Sequence, residues 1–210
     1  MEKQLMLKVR SSLALVGVLV ATIALSACAT TETNTTMSGG MMDTPSSTPS
    51  VSVGNTGAFN DADVAFAMGM IPHHKQAIDM ADTILGKSGI DPKVTDLATR
   101  IKAAQDPEIT EMTAWLTTWG SPMDSMSGMS GMDSGMMSDS EMAALDASSG
   151  TDAAKLFLTQ MTTHHQGAIS MAKTEINQGK NPDAINLASS IVTSQSAEIT
   201  EMATILSTLM

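Results

Sequence analysis

Sulfur in this chain is almost all thioether. Of 210 residues, 20 are methionine and one, Cys28, is cysteine. A lone cysteine can form no internal disulfide and no thiolate metal site. Tyrosine is absent, and two tryptophans with three phenylalanines leave little for stacking on bases or sugars. Basic residues are scarce, 11 against 22 acidic. Setting aside residues 1–27 removes Glu2, Lys3, Lys8 and Arg10, which leaves 21 acidic and 8 basic residues and a net charge of −13. Such a balance argues against nucleic acid or an anionic membrane surface as a partner and suits a protein that attracts cations. There is no glycine-rich phosphate loop, nucleophile elbow, zinc-type Cys/His spacing or basic patch. No organic cofactor is implied, and the core must come from Leu, Ile, Val, Ala and Met.

The N-terminus reads as a targeting segment. Lys3, Lys8 and Arg10 precede an apolar run, Leu13 to Leu25, that is too short for a membrane-spanning helix. It ends in Leu25-Ser26-Ala27-Cys28, which is similar to a bacterial lipobox. Residues 1–27 are therefore expected to be a lipoprotein signal peptide, and lipidated Cys28 the anchor to the envelope membrane. Residues 28–58, rich in Thr, Ser, Pro, Gly and Met, read as a flexible tether.

All four histidines fall in two His-His pairs, and the pairs occupy matching places in an internal repeat. Phe66–Ala81 reads FAMGMIPHHKQAIDMA and Phe157–Ala172 reads FLTQMTTHHQGAISMA, an offset of 91. Further on, QDPEITEM (Gln105–Met112) returns as QSAEITEM (Gln195–Met202), an offset of 90. One structural unit is used twice.

The periodicity predicts helices. From Asn60 or Asp61 to about Leu85, the residues Phe66, Met70, His73, His74, Ala77, Ala81, Ile84 and Leu85 fall within about 60° of one line, with Lys75, Asp79 and Asp82 opposite. Pro72 predicts a kink without a break. Asp91-Pro92 and Asn181-Pro182 open the second helix of each repeat, a capping residue followed by proline in the first turn. Val94, Leu97, Ala98, Ile101, Gln105, Glu108, Ile109, Met112 and Leu116 share a face, and Gly120 ends that helix. Thr151 is expected to cap a third helix running to about Gln178, and a fourth runs from Pro182 onward. The fold class is all-α: two helical hairpins, residues 59–120 and 151–210, forming one antiparallel four-helix bundle, with residues 121–150 as a methionine-rich linker.

Adjacent residues on a helix lie 100° apart, so a His-His pair cannot aim both rings at one point. Each ring is expected to flank the apolar stripe and meet a neighbouring helix, where Glu108 or Glu198 is the obvious partner. Met70 precedes His73 and His74 by three and four residues, Met161 stands likewise to His164 and His165, and Met112 and Met202 lie one turn beyond the glutamates. The candidate set in each half is two imidazoles, one carboxylate and two thioethers. The competing reading makes the histidines core residues bonded to buried glutamates. The linker carries Met123, Met126, Met129, Met132, Met136 and Met137, the first four at every third residue. A solvated segment gains nothing from packing thioethers, which are soft ligands for Cu(I) and Ag(I). The nearby Asp124, Asp133 and Asp139 are harder and suit Cu(II).

From Met70-Ile71-Pro72-His73-His74, with Ala77-Ile78, Met80-Ala81, Gln105, Glu108-Ile109, Met112 and Trp115-Leu116, the chain resembles the bacterial envelope family known as domain of unknown function 305. The resemblance implies a ferritin-like four-helix bundle with copper-binding envelope proteins among its members. It places Met70, His73, His74, Met80, Glu108 and Met112 among the functional positions. Their repeat counterparts are Met161, His164, His165, Met171, Glu198 and Met202. Thr163 stands where the first half has Pro72 and Ile205 where it has Trp115, so the second half is expected to bind more weakly. The favoured reading is a lipid-anchored envelope protein that binds copper, as Cu(I) or Cu(II), and also Ag(I), for resistance, storage or transfer to a copper donor or acceptor protein. It is not expected to be an enzyme. A cuprous oxidase on the same bundle and a structural lipoprotein without metal are the alternatives.

Overall fold

The computed structural model describes residues 57–121 and 135–209, and these are helical with no strand. Cys28, the signal peptide, nearly all of the tether, and Met123, Met126, Met129 and Met132 lie outside the described residues. Five helices follow in order: α1 (Asp61–Leu85), α2 (Pro92–Thr118), α3 (Asp139–Ala147), α4 (Gly150–Gln178) and α5 (Pro182–Thr208). None is long and apolar enough to cross a membrane.

Local chemistry sets the boundaries. Asn60 caps α1 in a capping box, its side chain accepting from the Ala62 and Asp63 amides while Asp63 reaches back to the Asn60 amide at 2.6 Å. Asp91 caps α2 and Asn181 caps α5, each followed by proline at the first helical position. Helix α1 runs through Pro72 unbroken, and α2 likewise contains Pro107. Short connections join α1 to α2 and α4 to α5, which makes two antiparallel hairpins. The hairpins meet chiefly through α1 against α4.

One stretch differs from expectation. Residues 139–147, inside the expected linker, form α3, and α4 begins at Gly150 with Ser149 as cap, so Thr151 is already inside the helix. The signal was present in Ser138-x-x-Glu141, a capping box in which both reciprocal hydrogen bonds form. Leu145 of α3 is fully buried beside Phe157 and Leu158, and Met137, just before α3, is buried in the same cluster. Met137 is thus a core residue, not part of a solvated methionine run.

The apolar interior is divided. One cluster holds Ile84, Leu97, Ile101, Phe157 and Leu158; the other holds Phe66, Ile71, Leu116, Ala188 and Ile191. Each long helix passes from one cluster to the other. On all four, the crossing point falls at the repeated polar residues: His73 and His74 on α1, Gln105 and Glu108 on α2, His164 and His165 on α4, Gln195 and Glu198 on α5. A polar layer therefore cuts the bundle across its middle.

A second buried polar contact fastens one end. Asp63 on α1 is fully buried and accepts from the Lys180 amide (3.0 Å) and the Asn181 amide (2.8 Å) in the α4–α5 turn. The Glu175 carboxyl, 1 % exposed, lies against it. Burial, then the neighbouring Asp63, pushes Glu175 up to about 8. Burial acts to raise Asp63 too, but the bonds it accepts outweigh this and hold it below its ordinary value. A Cβ at position 179 would sit 2.7 Å from the Glu175 carbonyl oxygen, which cannot move aside, so Gly179 is required there.

Because the Glu175 pKa rises on folding, from 4.5 to about 8, its contribution to stability is complete below pH 4.5 and is lost as pH climbs towards 8. Wild-type protein should lose on the order of 1–2 kcal/mol between pH 6.5 and 8.5. Glu175→Gln, which cannot ionise, should flatten that slope, as urea unfolding at the two pH values will show. Parallel slopes would mean that Glu175 is not held protonated.

Candidate metal centre

All four imidazoles are buried, His73 at 1 % exposure and His74, His164 and His165 at 0 %. They do not flank the core stripe at its edge, as the helical wheel implied. The facing helices close over them. Cross-helix partners are as expected for the outer ring of each half. His74 Nε2 lies 2.6 Å from Glu108 Oε2, and His165 Nε2 lies 2.7 Å from Glu198 Oε2. The glutamates are the members of these pairs that reach water, with side-chain exposures of 20 % and 15 %.

The inner rings do something the sequence did not indicate. His73 and His164, from opposite halves, face each other with ring centroids 3.7 Å apart and a tilt of 38°. The two expected half-sites therefore touch at the bundle axis. His165 lies further off, its centroid 6.5 Å from that of His164. Burial holds the His164 pKa well below the ordinary value, and repulsion from His73, His165 and His74 adds to it, against only a small opposing contribution from the His73 backbone. His164 is thus a neutral imidazole, the form that ligates metals.

Several buried polar atoms in this layer find no hydrogen-bond partner: both ring nitrogens of His164, Nδ1 of His74 and of His165, and Oε1 of Gln105 and of Gln195. Buried polar atoms are rarely left so, and a cluster of them marks a place where something else supplies the partner. Gln105 and Gln195, each 3 % exposed, were not among the sequence candidates. Their signal was the spacing Gln-x-x-Glu, present in both repeats and placing Gln and Glu on one helix face.

The thioethers divide by position. Met70, Met112, Met161 and Met202 are buried within one turn of the layer, the first and second on one side, the others on the opposite side. Met80 and Met171 are six residues beyond His74 and His165, about 9 Å of helix rise, and pack into the apolar clusters. Near the layer, the returning linker is pinned. The Met137 amide donates to Gln76 Oε1 (2.7 Å) and Gln76 Nε2 donates to the Met137 carbonyl (2.8 Å). Gly135, at φ +79°, passes so close to α4 that a Cβ would sit 2.7 Å from the Thr163 carbonyl oxygen. Met136, partly exposed, follows directly. Among the described residues, no three His, Cys, Asp or Glu side chains converge tightly enough to hold a metal ion by themselves. The layer is a set of paired donors, with thioethers and amide oxygens beside them.

The sequence matches the family called domain of unknown function 305 (DUF305) over residues 63–206, and the chain belongs to that family. Solved structures agree. A DUF305 protein from Streptomyces coelicolor is 33 % identical, with a TM-score of 0.66 over 74 % of this chain and 94 % of its own. A DUF305 fragment from Deinococcus radiodurans is 32 % identical, with a TM-score of 0.64 over 70 % and 97 %. CopM in its Cu(II)-bound form is 34 % identical, with a TM-score of 0.61 over 70 % and 97 %; Cu(I)-bound, Ag-bound and apo forms of CopM also match. No curated protein sequence matches this chain.

His164, whose pKa falls on folding, stabilises the fold fully above pH 6.5 and less as pH drops, because the unfolded chain then binds the proton more readily. Between pH 7 and pH 5.5 this loss runs against the gain from Glu175, so it is read by difference: His164→Leu, similar in size and unable to titrate, should gain more stability than wild-type metal-free protein over that interval. Equal changes in urea unfolding at the two pH values would show that His164 takes up its proton without cost in the folded state.

Proposed function

We propose that this protein binds copper as cargo, principally Cu(I), and accepts Ag(I) in its place. The observation that carries the reading is the set of buried ring nitrogens of His74, His164 and His165 without hydrogen-bond partners, in a chain 34 % identical to CopM, which is solved in Cu(I)-, Cu(II)- and Ag-bound forms. An unsatisfied buried polar atom costs roughly 1–3 kcal/mol, so a layer that holds several is hard to reconcile with a purely structural role. Neutral imidazole is a ligand for soft and borderline ions, and the thioethers of Met70, Met112, Met161 and Met202 select the softer of them. The residues fit copper; His73, His74, His164 and His165 would hold it, with the four methionines beside them.

Coordination without turnover is the simpler reading. Three residues after Glu108 and Glu198 stand Glu111 and Glu201, so the Glu-x-x-His pairs of oxygen-activating di-iron bundles are missing. A lipidated Cys28 would place the bundle at the envelope membrane, where resistance, storage or transfer to an acceptor protein is the natural use. Met123, Met126, Met129 and Met132 would supply weaker soft-ion sites, since they offer thioethers without imidazole beside them.

Titration of the purified protein with Ag(I), followed by elemental analysis, is the test. His164→Leu should remove at least one tight equivalent while the helical circular dichroism stays near wild type. Unchanged tight stoichiometry would overturn the reading. Replacing Met123, Met126, Met129 and Met132 by serine, which keeps the chain length between Ser121 and Gly135, should remove only weak equivalents. Those should persist at pH 5, since thioethers do not titrate. Weak sites as acid-sensitive as imidazole would deny the linker any role.

A further inference from the structure

We propose that Glu108 and Glu198 are positioning residues: each accepts the Nε2–H of its histidine and so presents Nδ1 of His74 and of His165 as the atom that takes the metal. The proposal rests on the copper reading above but makes a separate claim, since the sequence alone placed both glutamates among the ligands.

The geometry leaves one tautomer. A neutral imidazole carries a single N–H. At 2.6 and 2.7 Å, the Nε2···Oε2 separations are those of a hydrogen bond to a carboxylate. With the proton on Nδ1 instead, a nitrogen lone pair would face a carboxylate oxygen at that distance, and a buried Nδ1–H would have no acceptor. An imidazolium would satisfy Nε2 but still leave a buried Nδ1–H with nowhere to donate. Only the Nε2–H form leaves no donor stranded, and it exposes an unshared pair on Nδ1 of both rings, at atoms that have no hydrogen-bond partner.

A direct ligand role for the glutamates fits less well. A nitrogen and an oxygen bound to one ion through bonds of about 2 Å stand about 3 Å apart or more, so both pairs would have to open before an ion could enter between them. Metal on Nδ1 requires no such opening. A carboxylate on the far nitrogen fixes the ring orientation and makes the coordinating nitrogen more basic, the usual arrangement behind histidine ligands. The same pair forms in both repeats, on different helices, with nearly the same distance. The arrangement also fits the burial: the glutamates are partly exposed, at 20 % and 15 %, and the histidines, with their Nδ1 atoms, are fully buried.

The test uses the full chain with 15N-labelled histidine. In metal-free protein, long-range 1H–15N spectra should show His74 and His165 as Nε2–H tautomers. On adding Ag(I), the Nδ1 signals of both rings should shift while Nε2 keeps its proton. Glu108→Gln and Glu198→Gln, whose amide oxygen can still accept the Nε2–H, should keep the tautomer and the silver stoichiometry but weaken affinity about 10- to 100-fold. Three outcomes each overturn the proposal: Nδ1–H tautomers in the metal-free protein, silver on Nε2, or loss of a silver equivalent in the Gln variants. Silver on Nε2 would leave the copper reading intact. Silver that shifts no imidazole nitrogen would sink both.

Discussion

Four imidazoles in the interior of a small helical bundle impose a demand that aliphatic packing cannot meet. Each ring brings two nitrogens, and each nitrogen left dry without a partner costs free energy. The bundle answers by collecting every such group at one level. The histidines of α1 and α4 meet the glutamines and glutamates of α2 and α5, and the apolar residues are pushed into a cluster above and a cluster below. Helix pairing follows from the same demand. His74 reaches Glu108 only if α1 and α2 run antiparallel with the layer in register, and His165 imposes the same on α4 and α5. Contact of His73 with His164 then fixes how the two hairpins face one another.

Methionine takes up the boundary between the layer and the hydrocarbon. An unbranched thioether fills irregular space as leucine would, yet offers a polarizable lone pair where an ion could arrive. Met70 and Met112 line one side of the layer, Met161 and Met202 the other, all essentially without exposure. One of them already shows mixed character: Met202 packs with Phe157 and Ile205, and its sulfur lies 3.7 Å from the Thr162 hydroxyl. Packing and ligation are therefore compatible at these positions, so burial alone does not decide against a ligand role.

Much of this was legible in the sequence because it is local. Asn60, Asp91-Pro92 and Asn181-Pro182 cap the helices they were expected to cap, through side-chain bonds spanning two or three residues. The apolar stripes fixed which faces turn inward, and the repeated Glu more than four turns along the second helix gave the His–Glu pairs. What depends on how four helices close together was not legible. A single helical wheel puts His73 and His74 beside the stripe; only the arrival of α4 over α1 buries them. The approach of His73 to His164 joins residues 91 positions apart on different hairpins, and no pattern within either helix encodes it. Helix α3 was obscured by composition, since the run of Met, Ser, Gly and Asp before it masked the Ser138–Glu141 capping box.

The two repeats share the layer and differ at the ends. Under the offset of 91, Asp63 corresponds to Ala154 and Glu175 to Ile84. Ala154 and Ile84 are fully buried in the apolar cluster, while Asp63 and Glu175 form a carboxyl pair at the other end of the bundle. An apolar contact was sufficient in one copy, so the acidic pair answers a local need of its own end. That end is where the chain enters: Asn60 Nδ2 donates to the Gln178 carbonyl at 2.9 Å, Asn181 Nδ2 lies 3.4 Å from the Gly57 carbonyl, and Asp63 gathers the amides of the turn between α4 and α5. Directional bonds hold the start of α1 against the opposite hairpin where aliphatic contact would let it fray. The His, Gln and Glu positions, by contrast, recur in both copies with one chemistry and one geometry. The feature that the duplication preserves is thus the polar layer, and the fold around it is free to vary so long as that layer stays closed.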